Sequence, residues 1–478
     1  MLFRMVYDDG LAQAAYVIGC QRTGEAIVID PERDVDRYER IAAAHGLRIV
    51  AVAETHIHAD FLSGARELAE KGAKVYLSDE GDADWKYGWL DKKLGGGTYD
   101  HQLLEDGSVF HVGMIEFKVI HTPGHTPEHI CFLLTDRGGG ADKPMGVATG
   151  DFVFVGDVGR PDLLESAAGF AGKADPSAHR LYRTVRRFMD WPDYLQVWPA
   201  HGAGSACGKA LGAVPQSTVG YEKLFNPSIR AASSEDAFVD FILDGQPEPP
   251  LYFARMKREN KTGPKVLGGL PDLVQLAASD LDALDGAKVA IVDTRPWPAF
   301  RAGHVPGALW LPLSNSFSTD AGSMIGDQET IHLIVEPSRL EDAVRGLIRV
   351  GLDNLGGWFD ANQIDPYGRA GGKLVPTAEA TVDEARSMLD AADRPFVLDS
   401  RRKAEFGEGH IPGAHNIAHT RLMSRLSEVP RNRRILVSCQ GGGRSARACS
   451  LLQKHGYSVT NLAGGMSGWE KAKAAVQR

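Results

Sequence analysis

Short apolar segments alternate with amphipathic ones through the first two hundred residues of the chain. Residues 14–20, 25–30 and 49–54 are apolar runs of strand length, each followed by polar or turn-forming residues. Residues 34–45 and 63–71 instead carry apolar side chains at helical spacing and predict helices. This alternation predicts an α/β fold for the N-terminal part of the chain.

The C-terminal part of the chain contains an internal repeat. In residues 289–308 and again in residues 396–414, an apolar strand ends in an Asp and leads through a helical turn to G-H-x-P-G-A. Asp293 aligns with Asp399 without a gap in the pattern. The repeat predicts two similar domains, the first copy and the second copy, each with a parallel sheet and helices on both faces.

A cysteine in the second copy opens the run C-Q-G-G-G-R-S, between an apolar strand and a helix pattern. The glycines after Cys439 allow backbone N–H groups to turn toward the sulfur, and the helix N-terminus and Arg444 add positive potential. These features favour the ionised, nucleophilic sulfur, so Cys439 and Arg444 are predicted to be catalytic. The loop predicted to cradle the sulfur comprises Gln440, Gly441, Gly442, Gly443 and Ser445.

The first copy lacks this loop. Glu336 stands where the repeat places the cysteine, and Pro337 follows it. Proline has no backbone N–H to offer to a sulfur, and no glycine run follows. We therefore expect the first copy to be catalytically inactive and to serve as a spacer or an assembly surface.

Histidines and aspartates cluster at the ends of predicted strands in the first half of the chain. T-H-I-H-A-D-F follows the strand at 49–54, and H-T-P-G-H-T, T-G-D-F and P-A-H-G each follow another apolar run. Strand ends of this kind can meet at one rim of a sheet sandwich, where imidazole and carboxylate ligands suit a first-row transition metal. The clusters contribute His56, His58, Asp60, His125, Asp151 and His201.

The Cys439 loop, the repeat and the closing L-A-G-G-M-S-G-W resemble the rhodanese family of sulfurtransferases over residues 270–478. The His and Asp clusters resemble the metallo-β-lactamase fold over residues 1–245. Together they imply an α/β, multi-domain chain in which an αββα sandwich precedes two rhodanese-like domains. The predicted division is a metal-binding domain at 1–245, a linker at 246–268, a degenerate first copy at 269–374 and a catalytic second copy at 375–478.

The metal ligands resemble those of the persulfide dioxygenase branch of that superfamily. The superfamily motif H-x-H-x-D-H ends here in Phe61, which removes a ligand of a second metal site, and G-R-P-D-L follows T-G-D. The resemblance implies one Fe(II) per chain at His56, His125 and Asp151, with zinc as the alternative metal. The residues assigned to orient these ligands, or to a vestigial second metal site, are His58, Asp60 and His201.

Two further residues are candidates for substrate binding. Arg160 is a candidate clamp for the anionic groups of a thiol carrier, and a structural salt bridge is the competing interpretation. Cys207 lies just past His201, where its thiol could contact substrate sulfur, and a small buried hydrophobic role is the alternative. The residues predicted to be structural are His129, Cys20, Cys131 and Cys449.

The resemblances imply a persulfide dioxygenase–sulfurtransferase. Its metal site would oxidise a low-molecular-weight persulfide, carried by glutathione, CoA or a similar thiol, with O₂ to sulfite. Cys439 would carry a sulfane sulfur to sulfite and form thiosulfate, as in sulfide detoxification. The alternatives are a zinc-dependent glyoxalase II-like thioester hydrolase fused to a sulfurtransferase, and a non-catalytic sulfur-carrier scaffold.

Composition narrows the partners. The formal net charge is −9 and no polybasic run occurs, which argues against nucleic acid. No apolar stretch reaches the length of a membrane span, and the N-terminus lacks the layout of a signal peptide. Five scattered cysteines argue against a disulfide framework and favour a reducing cytoplasm. We also expect a homo-oligomer, either a dimer or a tetramer.

Overall fold

A computed structural model describes residues 1–91, 97–166 and 172–478 of the chain. Backbone contacts divide these residues into two compact units. The first unit comprises Met1–Leu270 together with Ile348–Gly351, and the second comprises Pro271–Leu347 together with Leu352–Arg478.

The first unit is built on two mixed sheets. Its strands are β1 (Leu2–Asp8), β2 (Gln13–Cys20), β3 (Glu25–Ile29), β4 (Arg48–Ala53), β5 (Lys74–Ser78), β6 (His101–Leu104), β7 (Val109–Val112), β8 (Ile115–His121), β9 (Ile130–Asp136), β10 (Gly146–Gly150), β11 (Gln196–Pro199) and β12 (Ser217–Thr218). The first sheet has the order β1-β2-β3-β4-β5-β6, and the second has the order β12-β11-β10-β9-β8-β7. Pairing is parallel from β3 to β6 and between β10 and β11, and antiparallel elsewhere.

Helices cover the outer face of each sheet in the first unit. They are α1 (Asp36–Ala44), α2 (Ala65–Glu70), α3 (Leu163–Ser166), α4 (Ala174–Phe188), α5 (Val219–Phe225), α6 (Pro227–Ala231), α7 (Glu235–Leu243) and α8 (Phe253–Thr262). Side chains of β2 alternate between two cores: Tyr16 and Ile18 pack between the sheets, whereas Val17 packs beneath α1 and α2. A third core lies between the second sheet and helices α4 and α7. The predicted αββα sandwich is therefore confirmed.

The segment 246–268, which was predicted to be a linker, contains helix α8. Phe253, Met256 and Asn260 of this helix are buried in the first unit. The Asn260 amide donates to the carbonyl oxygens of His58 and Phe61 at 2.8 and 2.7 Å. The charged sequence of the segment concealed this role because only a few of its side chains face inward. The exact domain boundaries stay a prediction.

The second unit holds two sheets in which all strands are parallel. The four-stranded sheet has the order β14-β13-β15-β16 and the five-stranded sheet the order β17-β21-β20-β18-β19. Their strands are β13 (Ala290–Asp293), β14 (Leu309–Trp310), β15 (Ile331–Val335), β16 (Leu355–Asp360), β17 (Ala378–Ala380), β18 (Phe396–Asp399), β19 (His415–Asn416), β20 (Ile435–Ser438) and β21 (Val459–Leu462). The helices between them are α9 (Trp297–Ala302), α10 (Phe317–Met324), α11 (Leu340–Ile348), α12 (Ile364–Arg369), α13 (Val382–Asp390), α14 (Lys403–Glu408), α15 (Gly443–Lys454) and α16 (Gly465–Lys471).

The two copies repeat the same local design. Asp293 at the end of β13 and Asp399 at the end of β18 each bind the guanidinium of the arginine two residues later, Arg295 and Arg401. This equivalence confirms the predicted pair of parallel-sheet domains. Across the described ranges of the chain, no helix has both the length and the apolar character required to cross a bilayer.

Candidate metal centre and sulfur-transfer site

Three predicted ligands of the first unit lie together at one edge of the sandwich. His56 follows β4, His125 lies between β8 and β9, and Asp151 follows β10. Their ligand atoms all lie within 4.8 Å of one another. His125 Nε2 is 3.4 Å and His56 Nε2 is 3.9 Å from Asp151 Oδ2. The strand ends thus bring together two imidazoles and one carboxylate from distant parts of the sequence.

The chemistry of these side chains fits a transition metal. Among the described residues, neither carboxylate oxygen of Asp151 has a hydrogen-bond donor, although both are buried. His125 Nδ1 donates to the carbonyl of Arg160 at 3.0 Å, which leaves Nε2 with a free lone pair. Burial lowers the pKa of His125, and burial with the neighbouring histidines lowers the pKa of His56 well below its ordinary value. Neutral imidazoles facing an unpaired carboxylate are a ready set of metal ligands.

His129, expected to be structural, fixes the position of Asp151. Its Nε2 accepts a hydrogen bond from the Asp151 backbone N–H at 3.0 Å. Its Nδ1 lies 2.7 Å from the hydroxyl of Thr122. The ring is fully buried, and both of its nitrogens are hydrogen-bonded. His129 therefore positions the loop after β10 and is not itself available as a metal ligand.

His58 lies beside His56, with ring centroids 4.2 Å apart, but is not part of the group of three ligands. Its Nε2 lies 3.1 Å from Asp30 Oδ1, and its ring packs against Phe61 at a centroid distance of 4.5 Å. Burial by itself lowers the pKa of His58, but the carboxylates of Asp30, Glu54 and Asp60 outweigh it and raise the pKa to about 9. His58 Nε2 is thus engaged by Asp30, and Nδ1 has no hydrogen-bond partner among the described residues.

A second group of possible ligands lies beside the first. Asp60, His201 and Cys207 are buried and bring their ligand atoms within 4.8 Å of one another. His201 Nε2 lies 3.3 Å from Asp60 Oδ2 and 3.4 Å from Asp151 Oδ1, and it has no hydrogen-bond donor or acceptor among the described residues. Burial raises the pKa of the Cys207 thiol well above its ordinary value. Sequence reasoning had paired Asp60 with His201, but it missed Cys207 as a member of this group.

Arg160, the candidate anion clamp, is buried and paired within the first unit. Its side chain is 1% exposed. The guanidinium binds both carboxylate oxygens of Asp162 at 2.7 and 2.6 Å and also donates to the carbonyls of Ala206 and Pro247. These contacts fit the structural salt bridge, and the role of Arg160 in substrate binding stays a prediction.

Cys439 begins a tight loop between β20 and α15. The backbone N–H of Gly442 donates to Cys439 Sγ at 3.1 Å, and Ser445 Oγ lies 3.3 Å from the same sulfur. Gly442 has a φ of +97°, a conformation that favours glycine. The loop therefore points the backbone N–H of Gly442 and the hydroxyl of Ser445 at the sulfur.

Arg444 carries a partner that the sequence did not reveal. Its two terminal nitrogens bind the carboxylate of Glu405 in α14 at 2.7 and 2.6 Å. Gln440 accepts from Arg401 at 3.3 Å and donates to Ser467 at 3.0 Å. The guanidinium of Arg444 beside the loop is thus paired with the carboxylate of Glu405, which lies on an earlier helix of the same copy.

The corresponding loop of the first copy has a different backbone. Glu336 follows β15 as Cys439 follows β20, and Pro337–Arg339 form a 3-10 turn directly after it. The proline and this turn replace the glycine loop. The structure thus gives the first copy no equivalent cradle within its described residues.

Two family models match the chain in separate regions. The metallo-β-lactamase superfamily matches residues 8–201, and the rhodanese-like domain matches residues 277–341 and 381–472. A metallo-β-lactamase crystal structure from Staphylococcus aureus subsp. aureus COL shares 39% identity and a TM-score of 0.65. Its alignment covers 75% of this chain and 98% of that chain.

Curated relatives match about half of the chain. A β-lactamase hydrolase-like protein of Xylella fastidiosa (strain 9a5c) is 29% identical over 49% of this chain and 53% of its own length. The mitochondrial persulfide dioxygenase of Bos taurus is 24% identical over 49% of this chain and 78% of its own length. The chain thus spans about half the length of the Xylella relative.

Proposed function

Because the chain belongs to the metallo-β-lactamase superfamily and carries rhodanese-like domains, we propose that it is a persulfide dioxygenase–sulfurtransferase. The observation that carries the proposal is the buried cluster of His56, His125 and Asp151 in a chain that also holds the Cys439 loop. The likeness to the bovine persulfide dioxygenase supports it.

Two balanced reactions follow. In the first, a persulfide, O₂ and water give a thiol, sulfite and protons, with the terminal sulfur oxidised and O₂ reduced. In the second, a persulfide on Cys439 gives its outer sulfur to sulfite, the S–S bond breaks, and its electron pair stays on Cys439 as a thiolate. The product is thiosulfate. The substrates we propose are persulfides of glutathione, CoA or a similar thiol.

Iron(II) held by His56, His125 and Asp151 would supply the redox chemistry that couples O₂ to sulfur. The protein itself sets the position and the protonation of these ligands. The carbonyl of Arg160 fixes the tautomer of His125, and His129 fixes the backbone at Asp151. Burial keeps both ligand imidazoles neutral.

A specific observation favours the alternative, a zinc-dependent thioester hydrolase. Asp60, His201 and Cys207 form a second ligand group, and Asp151 Oδ1 faces it while Oδ2 faces the first. A thiolate in a ligand set is compatible with zinc. The absence of a ligating side chain at Phe61 argues against this alternative, as does the attached sulfurtransferase loop.

The test is His125→Ala in the full chain, with His111→Ala as a matched control because His111 is an exposed histidine of the same unit. The proposal predicts one iron per chain in the wild type, and loss of both iron and persulfide-dependent O₂ uptake in His125→Ala. Sulfur transfer by Cys439 should persist in both variants. Two zinc ions per chain accompanied by thioesterase activity would establish the alternative instead.

A further inference from the structure

The hydroxyl of Ser445 has more acceptors than protons. Its Oγ lies 2.6 Å from Asn461 Oδ1, 3.0 Å from the carbonyl of Gly442 and 3.3 Å from Cys439 Sγ. A serine hydroxyl donates one hydrogen bond. The shortest contact goes to Asn461, so the sulfur of Cys439 competes with this amide for a single proton.

The amide of Asn461 is oriented by a contact on its other side. Asn461 Nδ2 donates to Glu379 Oε2 at 3.0 Å, which leaves Oδ1 to face Ser445. Asn461 is 1% exposed, so no solvent competes for these bonds. A carboxylate that accepts from the amide N–H polarises it and makes the amide oxygen a stronger acceptor.

Glu379 is in turn held by the first copy. Trp297 Nε1 donates to Glu379 Oε2 at 2.7 Å, and Arg301 lies 2.9 Å from Glu379 Oε1. Both residues belong to α9. A chain of hydrogen bonds therefore runs from the inactive copy through Glu379, Asn461 and Ser445 to the nucleophilic sulfur.

We propose that Asn461, held by Glu379 and the first copy, is a positioning residue that competes with Cys439 for the proton of Ser445. The proposal rests on the sulfurtransferase function proposed above. It also gives the first copy a role in catalysis that needs no cysteine of its own.

The competition matches the change of charge on the sulfur during transfer. While Cys439 carries a persulfide, its Sγ is uncharged, and Ser445 donates to Asn461. When an acceptor takes the outer sulfur, the S–S bond breaks and Sγ keeps the electron pair. The hydroxyl of Ser445 then donates its hydrogen bond to the thiolate. When the persulfide forms again, the hydroxyl donates to Asn461 Oδ1 once more.

Other charged groups near the sulfur are already paired. Arg444 binds Glu405, and Arg401 binds Asp399. Cys449 in α15 is fully buried, and burial raises the pKa of its thiol well above the ordinary value. The hydroxyl of Ser445, which lies 3.3 Å from the sulfur, is therefore a neutral group beside Cys439 whose hydrogen bond can change direction.

The test is the pH profile of Cys439 alkylation by iodoacetamide in the full chain, followed by peptide mapping. A Cβ at Gly441 would meet no atom within 4 Å, so the loop has open space at Gly441, two residues after Cys439. Asn461→Leu removes the competing acceptor. In this variant the midpoint of the alkylation profile should move down by about one pH unit, because one hydrogen bond to a charged sulfur stabilises the thiolate by about that amount. In the Ser445→Ala background the same substitution should cause no shift.

Two further variants separate this effect from general loosening. Ser450→Ala removes a hydrogen bond between the copies, to the backbone N–H of Trp310, and should leave the midpoint unchanged. Trp297→Phe should shift it in the same direction as Asn461→Leu, but by less. Asn461→Ala serves if the leucine variant does not fold.

An unchanged midpoint in the Asn461 variants, or an equal shift with and without Ser445, would overturn the proposal. Alkylation needs no sulfur transfer. A wild-type chain that shows the predicted shifts but cannot form thiosulfate would therefore refute the proposed function separately.

Discussion

Asp320 offers the most direct test of whether the first copy supports the second. It lies in α10 and is 1% exposed. Its carboxylate faces Arg447 of α15 at 2.5 Å and His419 at 3.0 Å, and it accepts from Ser316 at 2.7 Å. Replacing Asp320 with Asn keeps the volume but removes the charge that both basic side chains share.

The expected cost is large because Arg447 stays buried. Removing one partner of a buried ion pair destabilises a protein by about 3–5 kcal/mol. The guanidinium keeps a cation–π contact to Trp310 at 5.3 Å and two bonds to serine hydroxyls, so we expect the lower end, about 3 kcal/mol.

The stability lost on replacing Asp320 with Asn should depend on pH. Burial raises the pKa of Asp320, but His419 and Arg447 outweigh it and hold the pKa below its ordinary value. A carboxyl with a lowered pKa contributes its full stability above about pH 4, and loses it as the pH falls through the folded-state pKa. The difference between wild type and Asp320→Asn should therefore narrow below about pH 4.

The assay is urea unfolding of the full chain at several pH values, followed by tryptophan fluorescence. Asp342→Asn is the matched control, because its ion pair with Arg339 is half exposed and such pairs contribute about 0–1 kcal/mol. If Asp320→Asn and Asp342→Asn shift the unfolding midpoint equally, the argument that Asp320 anchors the second copy is wrong.

Three other outcomes are expected. Cys439→Ser should abolish thiosulfate formation while persulfide still consumes O₂ and sulfite accumulates; thiosulfate at the wild-type rate would remove Cys439 from the reaction. Arg160→Met should destabilise the first unit by about 3–5 kcal/mol, because it removes a buried guanidinium that binds Asp162 and two backbone carbonyls, without a selective rise in KM. A raised KM at unchanged stability would instead restore the anion-clamp interpretation. Chelation of the bound metal should lower the melting temperature, because binding at a hundredfold excess over Kd stabilises by about 2.7 kcal/mol; an unchanged melting temperature would contradict a metal at His56, His125 and Asp151.

The convergence of the His and Asp clusters could be predicted from sequence, because these clusters follow apolar strands, whereas the choice of three ligands among them came from the resemblance to persulfide dioxygenases. Asp151 comes directly after β10 and His56 three residues after β4, so both lie close to strand ends, where loops can meet at one edge. The Cys439 loop could also be predicted from the sequence, because its glycines, its arginine and the following helix are consecutive in the chain.

The remaining features depend on contacts that no local pattern reveals. Asn461 reaches Glu379 across 82 positions of the chain, and Arg160 reaches Pro247 across 87. The sequence of helix α8 is typical of a charged linker, because only a few of its side chains are buried. The burial of Arg160 is also a property of the folded chain, and a sequence motif alone contains no measure of burial.

The central claim is tested most directly by O₂ uptake when glutathione persulfide is added to the iron-loaded full chain. The account predicts one O₂ consumed per persulfide oxidised, with sulfite as the product and thiosulfate when further persulfide loads Cys439. Persulfide that leaves the O₂ concentration unchanged, while a thioester is hydrolysed by the zinc-loaded chain, would contradict it.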